Sequence, residues 1–266
     1  MRPIVFLFSC SIFFTAMSSA QGKSPSATHD QLLIAAIKHD DVREVKVLLA
    51  EGVNPNTHEL RSWKYIPLDQ MPTEVRSSKR RTGQQPPSAL FIALGLWSMD
   101  DPQFDKAKRT ASPAVVKALI EAGAHVNERD PDSLSTPLME AVREEDAATV
   151  KLLLRKGARV DAPAMKGGVT ALMLAVFLFD RNRAEVVKIL LDHSADPNAM
   201  TGHGDRPLTM VRRAEYIPLL IKYGANINAK DKQGLMVLAR VKKEQSAYFP
   251  ASDDVVQALR SNGAKE

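Results

Sequence analysis

Six histidines, at 29, 39, 58, 125, 193 and 203, and a scatter of carboxylates are the residues from which this chain could build a reactive site. His58-Glu59-Leu60-Arg61-Ser62 begins in the H-E-x-x-H manner that sets two zinc ligands one helical turn apart, but Ser62 stands where the second imidazole must be. No G-x-S-x-G turn, phosphate-cradling glycine loop or calcium loop occurs. Glu144-Glu145-Asp146 reads as a solvated turn, Asp253-Asp254 as favourable negative charge at a helix start, and Asp130-Pro131-Asp132 as a loop tip rather than a catalytic pair. His125 and His193 read as structural or solvated. The expectation is no catalytic residue, no metal ligand and no cofactor, hence no enzyme. Function must then come from a surface and from the elements that present it.

Those elements repeat. VVKILLDHSADPNA at 186–199 is matched by EVKVLLAEGVNPNT at 44–57, VVKALIEAGAHVNE at 115–128, TVKLLLRKGARVDA at 149–162 and YIPLLIKYGANINA at 216–229, with a truncated VVQALRSNGAKE at 255–266. In STPLMEAV, Thr136 is placed to cap a helix and Pro137 falls in the first turn, where no amide donor is needed. A second helix follows, with Val150, Leu153 and Leu154 at i, i+3, i+4 spacing, and Gly157 ends it in the left-handed conformation that glycine adopts without cost. Such a helix, turn, helix and projecting tail cannot bury its apolar stripes alone, so neighbouring copies must stack.

The pairing of STPLMEAV with VKLLLRKGARVDA resembles the ankyrin repeat, in which T-P-L-H-x-A precedes a V-x-x-L-L-x-x-G-A-x-x-N stretch. Six copies are expected, at 28–56, 87–128, 134–162, 167–199, 203–229 and 233–264, with an insertion at 57–86 that carries Trp63 and the basic cluster Arg76, Lys79, Arg80, Arg81. The resemblance implies an all-α solenoid of stacked helix-turn-helix units with short β-hairpin or loop fingers. Departures from the pattern are specific. Repeat two inserts SMDDPQFDKAKRTA after Trp97, repeat four is three residues longer near Phe179 to Asn182, and repeat five is three shorter, which places Pro218 near the start of its second helix. Ser194 replaces the terminal glycine of repeat four, so Ser194→Gly is expected to stabilise the fold.

The family's contact slots fall on the concave face. Transferred residue by residue, they give a partner-binding set of Arg143, Lys166, Val169, Phe177, Leu178, His203, Asp205, Arg213, Lys232, Gln233 and Leu235. Phe177 and Leu178 admit two readings: an exposed hot spot with Arg181 and Arg183 as its basic rim, or side chains covering their own helix pair.

The chain has 266 residues, 44% apolar and 25% charged, a globular composition. Met1-Arg2-Pro3, an apolar run from Ile4 to Met17 and Ser18-Ser19-Ala20 together predict a signal peptide over 1–20, cut after Ala20, leaving a single repeat domain over 21–266. An uncleaved anchor and a lipoprotein signal at Cys10 are the alternatives. Cys10 is the only cysteine, so the mature chain suits an oxidising compartment without disulfides. Losing Arg2 leaves a net charge of +4, which argues against a nucleic-acid partner. The reading is a monomeric, periplasmic or secreted module that binds a protein, with no small-molecule substrate and membrane contact only through an uncleaved signal or the basic insertion. Resemblance to signal-bearing bacterial ankyrin-repeat proteins suggests support of a periplasmic enzyme in stress defence; neutralisation of an exported toxin and a host-directed effector are the rivals.

Overall fold

A computed structural model describes residues 25–58, 87–95, 111–130, 133–164, 167–178, 183–244 and 253–265. Among them the chain forms twelve helices in six successive pairs: α1 (Pro25–Lys38) with α2 (Val42–Ala50), α3 (Ala89–Ala93) with α4 (Pro113–Glu121), α5 (Pro137–Arg143) with α6 (Ala147–Arg155), α7 (Ala171–Phe177) with α8 (Ala184–Asp192), α9 (Pro207–Met210) with α10 (Tyr216–Lys222), and α11 (Val237–Glu244) with α12 (Asp253–Ser261). The even-numbered helices pack on one another in succession and form an outer row. On the inner side α1 packs on α3, and α5, α7, α9 and α11 follow one another. No strand is present among the described residues. The antiparallel bridges His58 with Ser88, Ala164 with Val169 and Lys230 with Met236 mark the bases of short fingers.

Three positions in each pair explain why the rows close. One turn after the leading leucine of each inner helix stands a buried alanine or valine, in the column Ala36, Ala93, Ala141, Ala175, Val211 and Val241, and this keeps the inner row close to the outer. In α6, Val150 and Leu153 are fully buried and Leu154 half-buried, as the spacing predicts. Truncating Leu153 to alanine removes roughly 2–5 kcal/mol by the transfer and cavity costs of such sites. Each outer helix then ends in a left-handed residue: Gly52, Gly123, Gly157, Gly224 and Gly263 at φ of 88° to 96°, and Ser194 at 65°. The amide three places after the helix bonds back to its last full turn, as Ala158 N to Leu153 O at 2.9 Å and Ala195 N to Leu190 O at 3.0 Å.

The local departures have physical consequences. Pro218 lies third in α10, where its missing donor leaves no helical bond unmade. The contraction of repeat five appears as an inner helix of only four residues, after which Val211 is extended at φ −58°, ψ 130°. Asp253 and Asp254 open α12. Asp146 does more than sit in a solvated turn: its carboxylate accepts from Thr149 N at 3.0 Å and caps α6, behind Glu145 at φ 60°. The insertion assigned to 57–86 starts later in space, because Thr57 is buried and its carbonyl accepts from Ala89 N at 2.8 Å. Residues 1–24, with the predicted cleavage site, and 59–86 lie outside the described residues, as do Trp63, Trp97, Asp132, Lys166 and the extension Phe179 to Asn182.

Candidate interaction surface

The fingers are held from below by a ladder of asparagines. Asn127 reaches the next pair twice, donating from Nδ2 to Gly157 O at 2.8 Å and accepting from Arg159 N at 2.8 Å. Asn198 does the same with Gly224 O and Asn226 N, Asn228 with Gly263 O and Lys265 N, and Asn56 with Gly123 O and His125 N. Each carboxamide satisfies a carbonyl and an amide that the helix terminus leaves open, so the finger base becomes a continuous hydrogen-bonded seam. At the equivalent place between the third and fourth pairs stands Asp161, which only accepts, from Asp196 N at 3.1 and 3.2 Å.

Above the ladder the fingers close with backbone bonds: Asp130 N to Ser135 O at 2.9 Å, a reciprocal pair between Ala164 and Val169 at 2.7 and 3.1 Å, Thr201 N to Asp205 O at 2.8 Å and Asp231 N to Leu235 O at 2.9 Å. The residue at each tip has positive φ. In three fingers it is glycine, Gly168 at 77°, Gly204 at 91° and Gly234 at 80°, but in the first it is Leu134 at 55°, with 38% of its surface exposed. A bulky residue in the left-handed region is unfavourable by about 1–2 kcal/mol. Aligning the fingers on Thr136 and Thr170 would have exposed this in the sequence. Met200, 40% exposed, is a second apolar residue at these fingers that sequence reasoning passed over.

The predicted contact residues divide by what they do. Arg143, His203, Lys232 and Gln233 are exposed, and Val169, Phe177, Leu178, Asp205, Arg213 and Leu235 are half-buried. Several also work within the stack. Asp205 and the almost buried Asp231 grip Arg240 of α11 from two sides, and the Arg240 guanidinium holds the Asp231 carboxyl below the usual carboxylate range. Lys232 Nζ donates to Gly202 O at 2.9 Å, and Arg213 Nε to Glu215 at 2.8 Å. The ring of Phe177 lies under the Arg212 guanidinium, 4.9 Å from centroid to Cζ, and Leu178 packs against the core. Behind this row, Glu140 is buried and takes a hydrogen bond from the Ser135 hydroxyl. Burial raises its carboxyl above the usual range, which Ser135 and Arg143 partly offset.

Arg183 is not part of a basic rim. It is 1% exposed, and its guanidinium donates to Val142 O at 3.2 Å, Arg143 O at 2.9 Å and Leu178 O at 3.5 Å, while its backbone amide donates to Tyr216 Oη at 2.9 Å. The cation sits where the carbonyl ends of α5 and α7 converge, and the negative ends of the helix dipoles favour it there. Three repeats are joined at this one residue, two through its side chain and the third through its backbone amide. Among the described residues, no group of three or more His, Cys, Asp or Glu is placed to hold a metal ion, and His193 turns its Nδ1 to Ile189 O at 2.9 Å.

The geometry agrees with what the chain resembles. Residues 105–201 match the family model for Ankyrin repeats (3 copies). A putative ankyrin repeat protein of Fowlpox virus (strain NVSL) is 34% identical over 125 residues, 45% of this chain and 36% of its own length. A putative ankyrin repeat-containing protein of Treponema pallidum (strain Nichols) is 33% identical over 125 residues, 46% of this chain and 40% of its own. Ankyrin repeat and SOCS box protein 6 of Homo sapiens is 38% identical over 172 residues, 63% of this chain and 40% of its own. The chain thus spans well under half the length of these relatives. With three matched copies at the centre of six stacked helix pairs, the chain carries ankyrin repeats stacked as an all-α solenoid, and such an array is a protein–protein interaction module.

Proposed function

We propose that the chain is a non-enzymatic binding protein, exported to the periplasm, that holds one protein partner against its finger tips and inner-helix ends and in this way supports a periplasmic enzyme. The observation that carries the choice of face is Leu134. An apolar side chain is held out to solvent in a backbone conformation that its three counterparts reach with glycine, and neither the exposure nor the strain benefits the isolated fold. Strain and exposure at one finger tip are accounted for by a partner that covers it. The rigid stack supports this reading, since contact residues fixed beforehand lose little ordering entropy on association. The amino-terminal apolar segment ending Ser18-Ser19-Ala20 supports export.

A photo-crosslinking residue introduced at Leu134 in bacterial cells tests this, with Val47 on outer helix α2, itself 44% exposed, as the control position. The expected result is one discrete protein adduct in the periplasmic fraction from position 134 and none from 47. Adducts from position 47 alone, or a chain confined to the cytoplasm, would overturn the reading.

A further inference from the structure

The inner row is interrupted at α9. Its four residues rise about 6 Å, against roughly 10 Å for the seven of α7, so the row steps down by about one turn at the fifth pair. Val211 is extended as the chain leaves α9, and Arg212 N donates to Val176 O at 3.2 Å, which lays the Arg212 guanidinium over Phe177. Arg183 draws the ends of α5 and α7 to the same place from behind, through Arg143 O and Leu178 O. The step is therefore floored by an aromatic ring and a cation and flanked by the exposed or half-exposed side chains of Arg143 and Arg213.

Charge along the chain points the same way. Residues 203–244 hold nine basic against four acidic residues, whereas 28–58 hold three basic and five acidic. Of those four acids, Asp205 and Asp231 are engaged by Arg240 and Glu215 by Arg213. Lys243, exposed on α11, adds a further positive charge beyond the step. Resting on the reading of this face as the partner-binding face, we propose that the step receives an acidic segment of the partner polypeptide, its carboxylates competing with Glu140 and Glu215 for the exposed guanidinium edges of Arg143 and Arg213 and meeting Lys243, and an apolar side chain meeting Phe177. A polypeptide is favoured over a membrane or a nucleic acid because the ring and the half-buried Leu178 offer apolar contact inside the cationic border, the composition of a protein interface centre with a charged rim.

Fluorescence anisotropy of the full chain tests this with a labelled peptide in which aspartates and glutamates surround one phenylalanine. Binding is expected to weaken as ionic strength rises, to fall about tenfold or more in Arg213→Glu/Lys243→Glu, and to stay within about twofold in Lys117→Glu/Lys151→Glu on the outer row. Circular dichroism of both variants establishes that they are folded. If Arg213→Glu/Lys243→Glu misfolds, Lys243→Glu alone takes its place, and the same direction of change is required. Equal losses from the inner and outer reversals, or no binding, overturn the proposal. Stronger binding of phosphatidylglycerol vesicles or of a single-stranded oligonucleotide at the same residues assigns the step to a membrane or nucleic acid instead. Any of these failures leaves the Leu134 adduct untouched, so the broader reading is judged separately.

Discussion

Two seams in the array use the same positions with different chemistry. Between the second and third pairs, Asn127 both donates to Gly157 O and accepts from Arg159 N. Between the third and fourth, Asp161 accepts from Asp196 N twice and has no proton to offer Ser194 O when ionised. The second seam also ends its outer helix on a left-handed serine in place of glycine. Weakness at the finger end is offset at the opposite end of the same pair, where buried Arg183 joins α5, α7 and Tyr216. Stacked repeats therefore need not be uniform. One interface is held mainly at its finger base, the other mainly through the inner-helix ends.

The largest expected effect comes from removing the compensating side. Arg183→Met leaves converged helix-end carbonyls without their cation and is expected to lower stability by about 3 kcal/mol in chemical denaturation, with the fourth pair opening first. Tyr216→Phe, which deprives the Arg183 amide of its acceptor, should cost about 1–2 kcal/mol in the same assay. Converting the strong seam into the weak one, Asn127→Asp should cost about 1–2 kcal/mol, and the reciprocal Asp161→Asn should gain about 1 kcal/mol at neutral pH.

Asp161 also gives the comparison a pH dependence of known sign. Burial raises its carboxyl above 3.8; the Asp196 amide pulls it down, and the Asp196 charge pushes it up. The native state thus takes this proton before the unfolded chain does. The site contributes most favourably below about pH 4 and loses that contribution as pH rises through the raised native value, so Asp161→Asn should gain more at pH 7 than at pH 4. Thermal unfolding of both proteins across that window checks the difference. The smallest effect is expected from Ser194→Gly, a gain of about 0.5–1 kcal/mol, since residue 194 is left-handed and exposed.

Much of this architecture was legible. The i, i+3, i+4 stripes, the glycine ends, Ser194 in place of glycine and Pro218 at a helix start are local signals, and local chemistry fixes their outcome. The asparagine column was visible as the next-to-last residue of four of the repeated stretches, Asn56, Asn127, Asn198 and Asn228, but its role depends on a carbonyl and an amide in the following pair, some thirty residues on for Asn127. Arg183 was misread for a related reason. A basic residue beside Arg181 in a polar loop looks solvated, and only the folded arrangement of α5 and α7 supplies the carbonyls that bury it. Leu134 was missed because the contact slots were transferred residue by residue without asking which finger positions glycine occupies in the other copies.

Amide hydrogen exchange on the intact chain tests the unequal seams most directly. The amide of Asp196 should exchange measurably faster than those of Arg159 and Asn226, which donate to the Oδ1 atoms of Asn127 and Asn198 within complete asparagine bridges, and Asp161→Asn should slow it to their rate. Equal protection of all three amides in the parent protein, or an Asp196 amide unchanged by Asp161→Asn, would contradict the account.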